Sequence, residues 1–220
     1  MSAAAATEAW PAPKGLLLDA MGTLIGLRES VGTTYAAAAA GHGITVNAAA
    51  IDQAFPAVLR QAPPLAFPGL QQQELEEAER QWWGERINGA LLAAGSGASA
   101  PAALREELYL RFADPALWHV LPGVLTALEH WAALGLRLAV VSNFDGRLPG
   151  LLGGLGLAVH LQAVIVSSAA GAAKPDPLPF RLALTALGLG ATDVWHVGDS
   201  PEDAEGAAAA GVRCLRIQRP

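Results

Sequence analysis

From about residue 122 onward the chain alternates short apolar runs with helix-like segments, a rhythm that admits few folds besides a parallel sheet built from strand-helix-strand units. The runs 136–141, 163–166, 194–197 and 212–217 read as strands, with helices expected at 123–134, 147–152, 177–187 and 201–210. Pro177 and Pro201 suit first-turn positions, where a missing N–H costs nothing, and Gly188 and Gly211 suit the far ends. Near the start of the chain, 16–19 is a fifth apolar run. It closes on Asp19 and breaks into Gly22-Thr23, which is how a buried strand delivers a carboxylate to the edge of such a sheet. The expectation is an α/β fold with a doubly wound, five-stranded parallel sheet.

Residues 27–118 break this rhythm: their periodicity is helical throughout, with no strand-like run. The expected organisation is therefore a core from 1–26 and 119–220, carrying an inserted all-α cap at 27–118. The best helix of the cap is 74–94, with Leu75, Ala78, Trp82, Ile87 and Leu91 at three-and-four spacing. Adjacent Trp82 and Trp83 point to different sides of it, one towards core and the other towards surface or interface. Residues 95–101, Pro63-Pro64 and Pro68-Gly69 mark loops.

Hydrophobic residues make up 52% of the 220 residues, but alanine inflates that figure. No apolar stretch reaches the ~20 residues a spanning helix needs, so no membrane is expected. The first eight residues lack a basic start and a Leu/Val-rich stretch, and read as a frayed tail rather than a signal peptide. A lone cysteine, Cys214, sits in an apolar run as a structural strand residue and fits a reducing, cytoplasmic setting. The formal charge of −6 argues against a nucleic-acid partner, since phosphate-backbone affinity comes from clustered Lys and Arg. Lysines occur only at positions 14 and 174. Nothing in the pattern sets an oligomeric state.

Four groups of polar residues each follow an expected strand, which places them at the carboxyl edge where open α/β sheets gather ligands. They are Asp19; Ser142-Asn143; Lys174-Pro-Asp176; and Asp199-Ser-Pro-Glu202-Asp203 after Gly198. Singly, each has a plain explanation as a helix cap or surface turn. Their common location and order are the argument for a site.

This ordered set resembles the haloacid dehalogenase-like hydrolase superfamily over residues 15–217. The stretches Val31-Gly-Thr-Thr-Tyr35, Gln81-Trp-Trp83, Arg137-Leu-Ala-Val-Val-Ser-Asn-Phe-Asp145, Leu152-Gly-Gly-Leu-Gly156 and Lys174-Pro-Asp-Pro177 look like one of its subgroups. That subgroup comprises haloacid dehalogenase-like hydrolase domain-containing protein 3 and rhythmically expressed gene 2. The resemblance implies a Mg²⁺-dependent hydrolase acting on a small phosphate ester or anhydride. In-line attack on phosphorus needs an oxygen nucleophile, and a carboxylate serves at neutral pH without deprotonation, so Asp19 is the expected site of an aspartyl-phosphate. Asp199 is the expected direct ligand of a hard divalent cation, with Asp19 and the main-chain carbonyl of Met21 beside it. Asp203, one helical turn on, holds a metal-bound water or orients the site, with Glu202 or Ser200 as alternatives. Backbone N–H groups of Ala20, Met21 and Gly22, the Ser142 hydroxyl, the Asn143 amide and the Lys174 ammonium are expected around the phosphate oxygens.

Position 21 departs from the superfamily's pattern, in which the residue two after the nucleophile is usually a second aspartate that handles protons. Met21 cannot protonate a leaving alkoxide or activate a water, each worth about 10²–10⁴ in rate. Three explanations stand: a leaving group that needs no proton, such as an acyl phosphate; a substitute from the cap, such as Glu29 or Glu85; or weak or absent turnover in a protein that binds a phosphorylated metabolite or another protein. Halide displacement is a third function to weigh, although the dehalogenase branch lacks an aspartate at the position of Asp199. The branch that uses a cap lysine is ruled out, because 27–118 contains none.

Overall fold

A computed structural model describes residues 11–218, so the tail read at 1–8 lies outside the described residues. In chain order the first elements are β1 (Gly15–Leu18), β2 (Ile25–Leu27), α1 (Val31–Gly41), α2 (Ala48–Arg60), α3 (Gln72–Ala93) and α4 (Ala102–Arg111). They are followed by β3 (Trp118–Val120), α5 (Val124–Ala133), β4 (Arg137–Ser142), α6 (Leu148–Gly154), β5 (Ala163–Val166) and α7 (Ser167–Ala170). The chain ends with α8 (Leu178–Leu187), β6 (Val194–Gly198), α9 (Pro201–Ala209) and β7 (Arg213–Arg216).

Five strands form one parallel sheet in the order β5-β4-β1-β6-β7, as the alternating rhythm requires. Strand β1 lies at its centre and is buried along its whole length. Successive side chains leave a strand on opposite faces, so Leu16 and Leu18 join one apolar layer with Leu128, Leu151 and Leu152, while Leu17 joins Phe180, Ala183 and Ala207 on the other. Both layers of helices are thus seated by a period-2 pattern. Gly188 and Gly211 adopt the left-handed backbone expected of them beyond α8 and α9.

Among the described residues, α1–α4 build a separate apolar centre around Tyr35, Ile51, Ile87, Leu91, Leu104 and Leu108. Ser30 and Asn47 cap α1 and α2 by accepting from the N–H groups of Thr33 and Ala50. One feature differs from expectation: β2 and β3 pair antiparallel at the two ends of this insertion, with Leu27 opposite Trp118 and Ile25 opposite Val120. Three-residue strands are too short to show an alternating pattern, so only the fold reveals them. Trp82 is buried in α3, with its indole N–H donated to the Pro63 carbonyl at 3.0 Å. Cys214 lies half-buried in β7.

Candidate active site

Asp19 stands one residue beyond β1, its N–H donated to the Val197 carbonyl of β6 at 2.9 Å. The turn after it is tight: the Ala20 carbonyl accepts from Thr23, Leu24 and Ile25. Gly22 has φ +80, and a Cβ there would meet Asp199 Oδ2 at 2.5 Å, so the turn tolerates only glycine and brings the two motifs into contact. Gly198 plays a like part at the end of β6, where a Cβ would sit 2.3 Å from Asp203 Cγ.

The buried Asp19 carboxylate is held through one oxygen. Its Oδ1 accepts from Ser142 Oγ at 3.0 Å and from Lys174 Nζ at 2.6 Å. Lys174 is itself buried and spends its other donors on Asp203 Oδ1 at 2.5 Å and the Val141 carbonyl at 3.1 Å. Burial works to lower the Lys174 pKa, but the Asp19 and Asp203 carboxylates outweigh it and hold the ammonium above its ordinary range. Burial pushes the Asp19 carboxyl up, with Lys174 pulling it back and Asp203 adding to the rise.

Asp203 accepts hydrogen bonds through both of its oxygens. Its Oδ2 accepts from the Ser200 N–H at 3.0 Å and the Ser200 hydroxyl at 2.9 Å, a reciprocal cap at the start of α9. Its Oδ1 meets both Lys174 and His196 Nε2, the latter at 2.8 Å. Burial opposes ionisation, yet the hydrogen bond to His196 and the charge of Lys174 hold the Asp203 carboxyl well below the usual range. His196 Nδ1 is buried without a hydrogen-bond partner, so the tautomer protonated at Nε2 fits. His196 is a site residue that the sequence reading passed over. Its signal was present: it sits two positions before Gly198 in β6, on the same side of the strand as Val194 and Gly198, all three buried.

Asn143 works differently from the phosphate contact expected of it. Its Oδ1 accepts from the Lys174 N–H at 2.7 Å and its Nδ2 donates to the Lys174 carbonyl at 3.0 Å, clamping the main chain that carries the lysine. One amide N–H is left for a ligand. Gly22 also departs from expectation, because its N–H is donated to the Ile25 carbonyl at 2.9 Å. Ala20 and Met21 are then the N–H donors this turn offers to an anion. Ligand oxygens from Asp19, Asp199 and Asp203 lie within 4.8 Å of one another, a hard-oxygen set suited to a divalent cation. Asp199 also accepts from Thr23 Oγ1 at 3.3 Å. Met21 is 43% exposed and faces a chamber beneath α1–α4.

The remaining sequence candidates fall outside this centre. Glu85 is exposed and paired with Arg86, and Glu29 is exposed beside Ser30. On the outer side of α3, Arg80 pairs with Glu76 and Glu106. Asp176 accepts from the Leu178 N–H and shapes the turn into α8. Asp145 is fully buried and joins the insertion to the core: it binds Arg147 through both oxygens and accepts from the Trp83 indole. Trp83 is accordingly the interface member of the tryptophan pair.

A central-strand carboxylate gripped by a lysine and a serine, two further aspartates on the next loop of the sheet, and a helical insertion over the same edge define a class of α/β hydrolases. The haloacid dehalogenase-like hydrolase family model matches residues 13–211, and the chain belongs to that family. It is 39% identical over 209 residues to haloacid dehalogenase-like hydrolase domain-containing protein 3 of Homo sapiens, covering 93% of this chain and 82% of that one. It is 35% identical over 151 residues to phosphoserine phosphatase of Thermus thermophilus, covering 65% and 59% of the two chains. L-2-haloacid dehalogenase from Xanthobacter autotrophicus shares the fold, with a TM-score of 0.69 at 22% identity over 93% of this chain and 77% of that one. Among the described residues no helix is long and apolar enough to cross a membrane.

Proposed function

We propose that the protein is a Mg²⁺-dependent phosphohydrolase that moves the phosphoryl group of a small phosphorylated metabolite onto Asp19 and then to water. The observation that carries this reading is the charge arrangement at the sheet edge. Three carboxylates converge within 4.8 Å while Lys174 alone among the described residues brings a full positive charge onto them. Asp19 and Asp203 are buried and Asp199 is half-buried, and carboxylates in that excess are costly without a further cation. Asp19, Asp199 and the Met21 carbonyl would hold Mg²⁺, which when bound supplies charge neutralisation for the incoming phosphate. Asp203, its oxygens already engaged, would reach the ion through water and hold Lys174 in place.

The chain's own groups support both chemical steps. With Oδ1 fixed by Ser142 and Lys174, Asp19 Oδ2 is the attacking atom: its O–P bond forms as the bond to the leaving oxygen breaks, and the leaving group takes the electron pair. Water then attacks phosphorus, and the bond from phosphorus to Asp19 Oδ2 breaks with its electron pair returning to the carboxylate. Phosphate departs with the water's oxygen, while the water's proton passes to the phosphate or to solvent. The Ala20 and Met21 N–H groups stabilise the charge on the transferred oxygens, and Lys174 adds its positive charge nearby while its donors and the Ser142 hydroxyl hold Asp19. The setting we propose is cytoplasmic, with neither nucleic acid nor membrane as partner.

Met21 favours a second reading, slow turnover or ligand binding without turnover, because no side chain at position 21 handles a proton. Halide displacement is the weaker alternative, since Asp199 and the converging carboxylates have no use in it. The deciding experiment is phosphate release across a panel of phosphorylated metabolites with and without Mg²⁺. Mg²⁺-dependent release that Asp19→Asn abolishes supports the hydrolase; an inactive protein that Met21→Asp awakens supports the binder.

A further inference from the structure

The chamber between α1–α4 and the sheet edge has a volume of about 210 Å³ and is bounded on the catalytic side by Met21 and Asn143. Its walls are apolar, with Phe55, Leu59, Ile87 and Phe112 among them. Among its lining residues Arg147 carries the only formal charge, and that charge is already matched. Nε and Nη2 of Arg147 donate to the two oxygens of fully buried Asp145 at 2.8 and 2.6 Å, and Nη1 donates to the Tyr109 carbonyl at 2.7 Å. The guanidinium also lies 4.1 Å from the centroid of the Tyr109 ring. A second anionic group entering the chamber would find no uncompensated cation and would lose its water.

We infer that this chamber takes the non-reacting part of the substrate, and that this part is an uncharged apolar group of about one aromatic ring. The inference rests on phosphoryl transfer at Asp19 as the reading of the site, and deepens it by naming the leaving group's chemistry. The volume agrees: a dry apolar cavity of about 150 Å³ suffices for benzene, so 210 Å³ holds a ring and a short linker. The position of Met21 agrees as well, because its thioether carries the apolar lining up to the reacting centre, where an acidic side chain would repel a ring and cost desolvation. A phosphorylated hydroxy acid or amino acid, with a carboxylate near its phosphate, is disfavoured.

Two non-hydrolysable phosphonates with the same reacting head and different tails test this: benzylphosphonate and phosphonoacetate, titrated calorimetrically into the Mg²⁺-loaded protein. Benzylphosphonate is expected to bind about tenfold or more tightly, from burial of the ring. Leu59→Arg, which brings an unmatched cation into the chamber, is expected to narrow or invert that preference. Equal affinities, tighter binding of phosphonoacetate, or no binding of either overturns the inference. Phosphate release from acetyl phosphate, whose acetyl group fills little of the chamber, is followed in parallel. Its absence counts against hydrolysis alone, because the phosphonate preference is read without turnover.

Discussion

Trp83 of α3 donates its indole N–H to Asp145 across 2.6 Å, joining the helical insertion to the loop after β4. The same loop receives Glu79, one helical turn earlier, whose carboxylate accepts from the Gly146 N–H at 3.0 Å. Two contacts at i and i+4 on one helix face therefore set how α1–α4 sit over the catalytic edge. Trp83→Phe keeps the ring and removes the donor, leaving Asp145 one bond short. We expect a loss of about 1–3 kcal/mol in unfolding free energy, measured by urea denaturation, because a hydrogen bond to a buried carboxylate is lost even though Arg147 still donates to the same oxygen. A change within error would mean the contact adds nothing to the latch.

Lys174 bears on two buried carboxylates at once, so its removal leaves both uncompensated. Lys174→Met should cost about 3–5 kcal/mol in metal-free buffer. Added Mg²⁺ should return part of that loss, and a thermal melt with and without the ion reads the difference.

Asp203 sets a pH dependence whose sign follows from its depressed pKa. Its folded-state value lies below the ordinary 3.8, so the folded protein favours the ionised form more than the unfolded chain does. That stabilisation is present above pH 3.8 and is lost as pH falls through the folded value. In buffer containing chelator, Asp203→Asn should be less stable than wild type at pH 7, with the gap closing in acid. Parallel stability curves would show that the depression is absent.

Position 21 separates leaving groups. Met21→Asp should speed transfer of the phosphoryl group from alkyl phosphates to Asp19 by about 10²–10⁴, where a proton must be supplied, and change transfer from acetyl phosphate little, where none is needed. Single-turnover rates of leaving-group release from the two substrate types read this directly. A uniform effect on both would place the role of residue 21 outside proton transfer.

His196 acts through Asp203 rather than on a ligand. His196→Phe removes the Nε2 partner of Asp203 while keeping an aromatic group against Phe180, whose ring lies 5.0 Å away edge-on. The expected outcome is a lower kcat with KM near unchanged and a smaller loss of stability between neutral and acid pH, because the Asp203 carboxyl is then less depressed. Unaltered pH behaviour would reduce His196 to a packing role.

The sequence by itself determined the sheet, its helices and the residues at its carboxyl edge. Those depend on local periodicity: strands bury alternate residues, helices every third or fourth, and loops after strands collect at one edge. Asp19, Ser142, Lys174, Asp199 and Asp203 could be placed at that edge in this way, whereas the departure at Met21 shows only against the pattern of the superfamily the chain resembles. Only the tertiary structure decided how these residues are used. The Asn143 amide was expected at a phosphate, but the fold sets its oxygen and one N–H against the main chain of Lys174, 31 residues on, and leaves a single N–H for a ligand. Whether His196 is filler or a partner of Asp203, and whether Trp83 packs or latches, depends on rotamers and on contacts between residues 7 and 62 positions apart. Strands β2 and β3 owe their pairing to the closure of the insertion, a non-local event that leaves no repeat in the chain. The neutralisation of Arg147, which makes the chamber apolar in effect, likewise exists only once Asp145 is buried beside it.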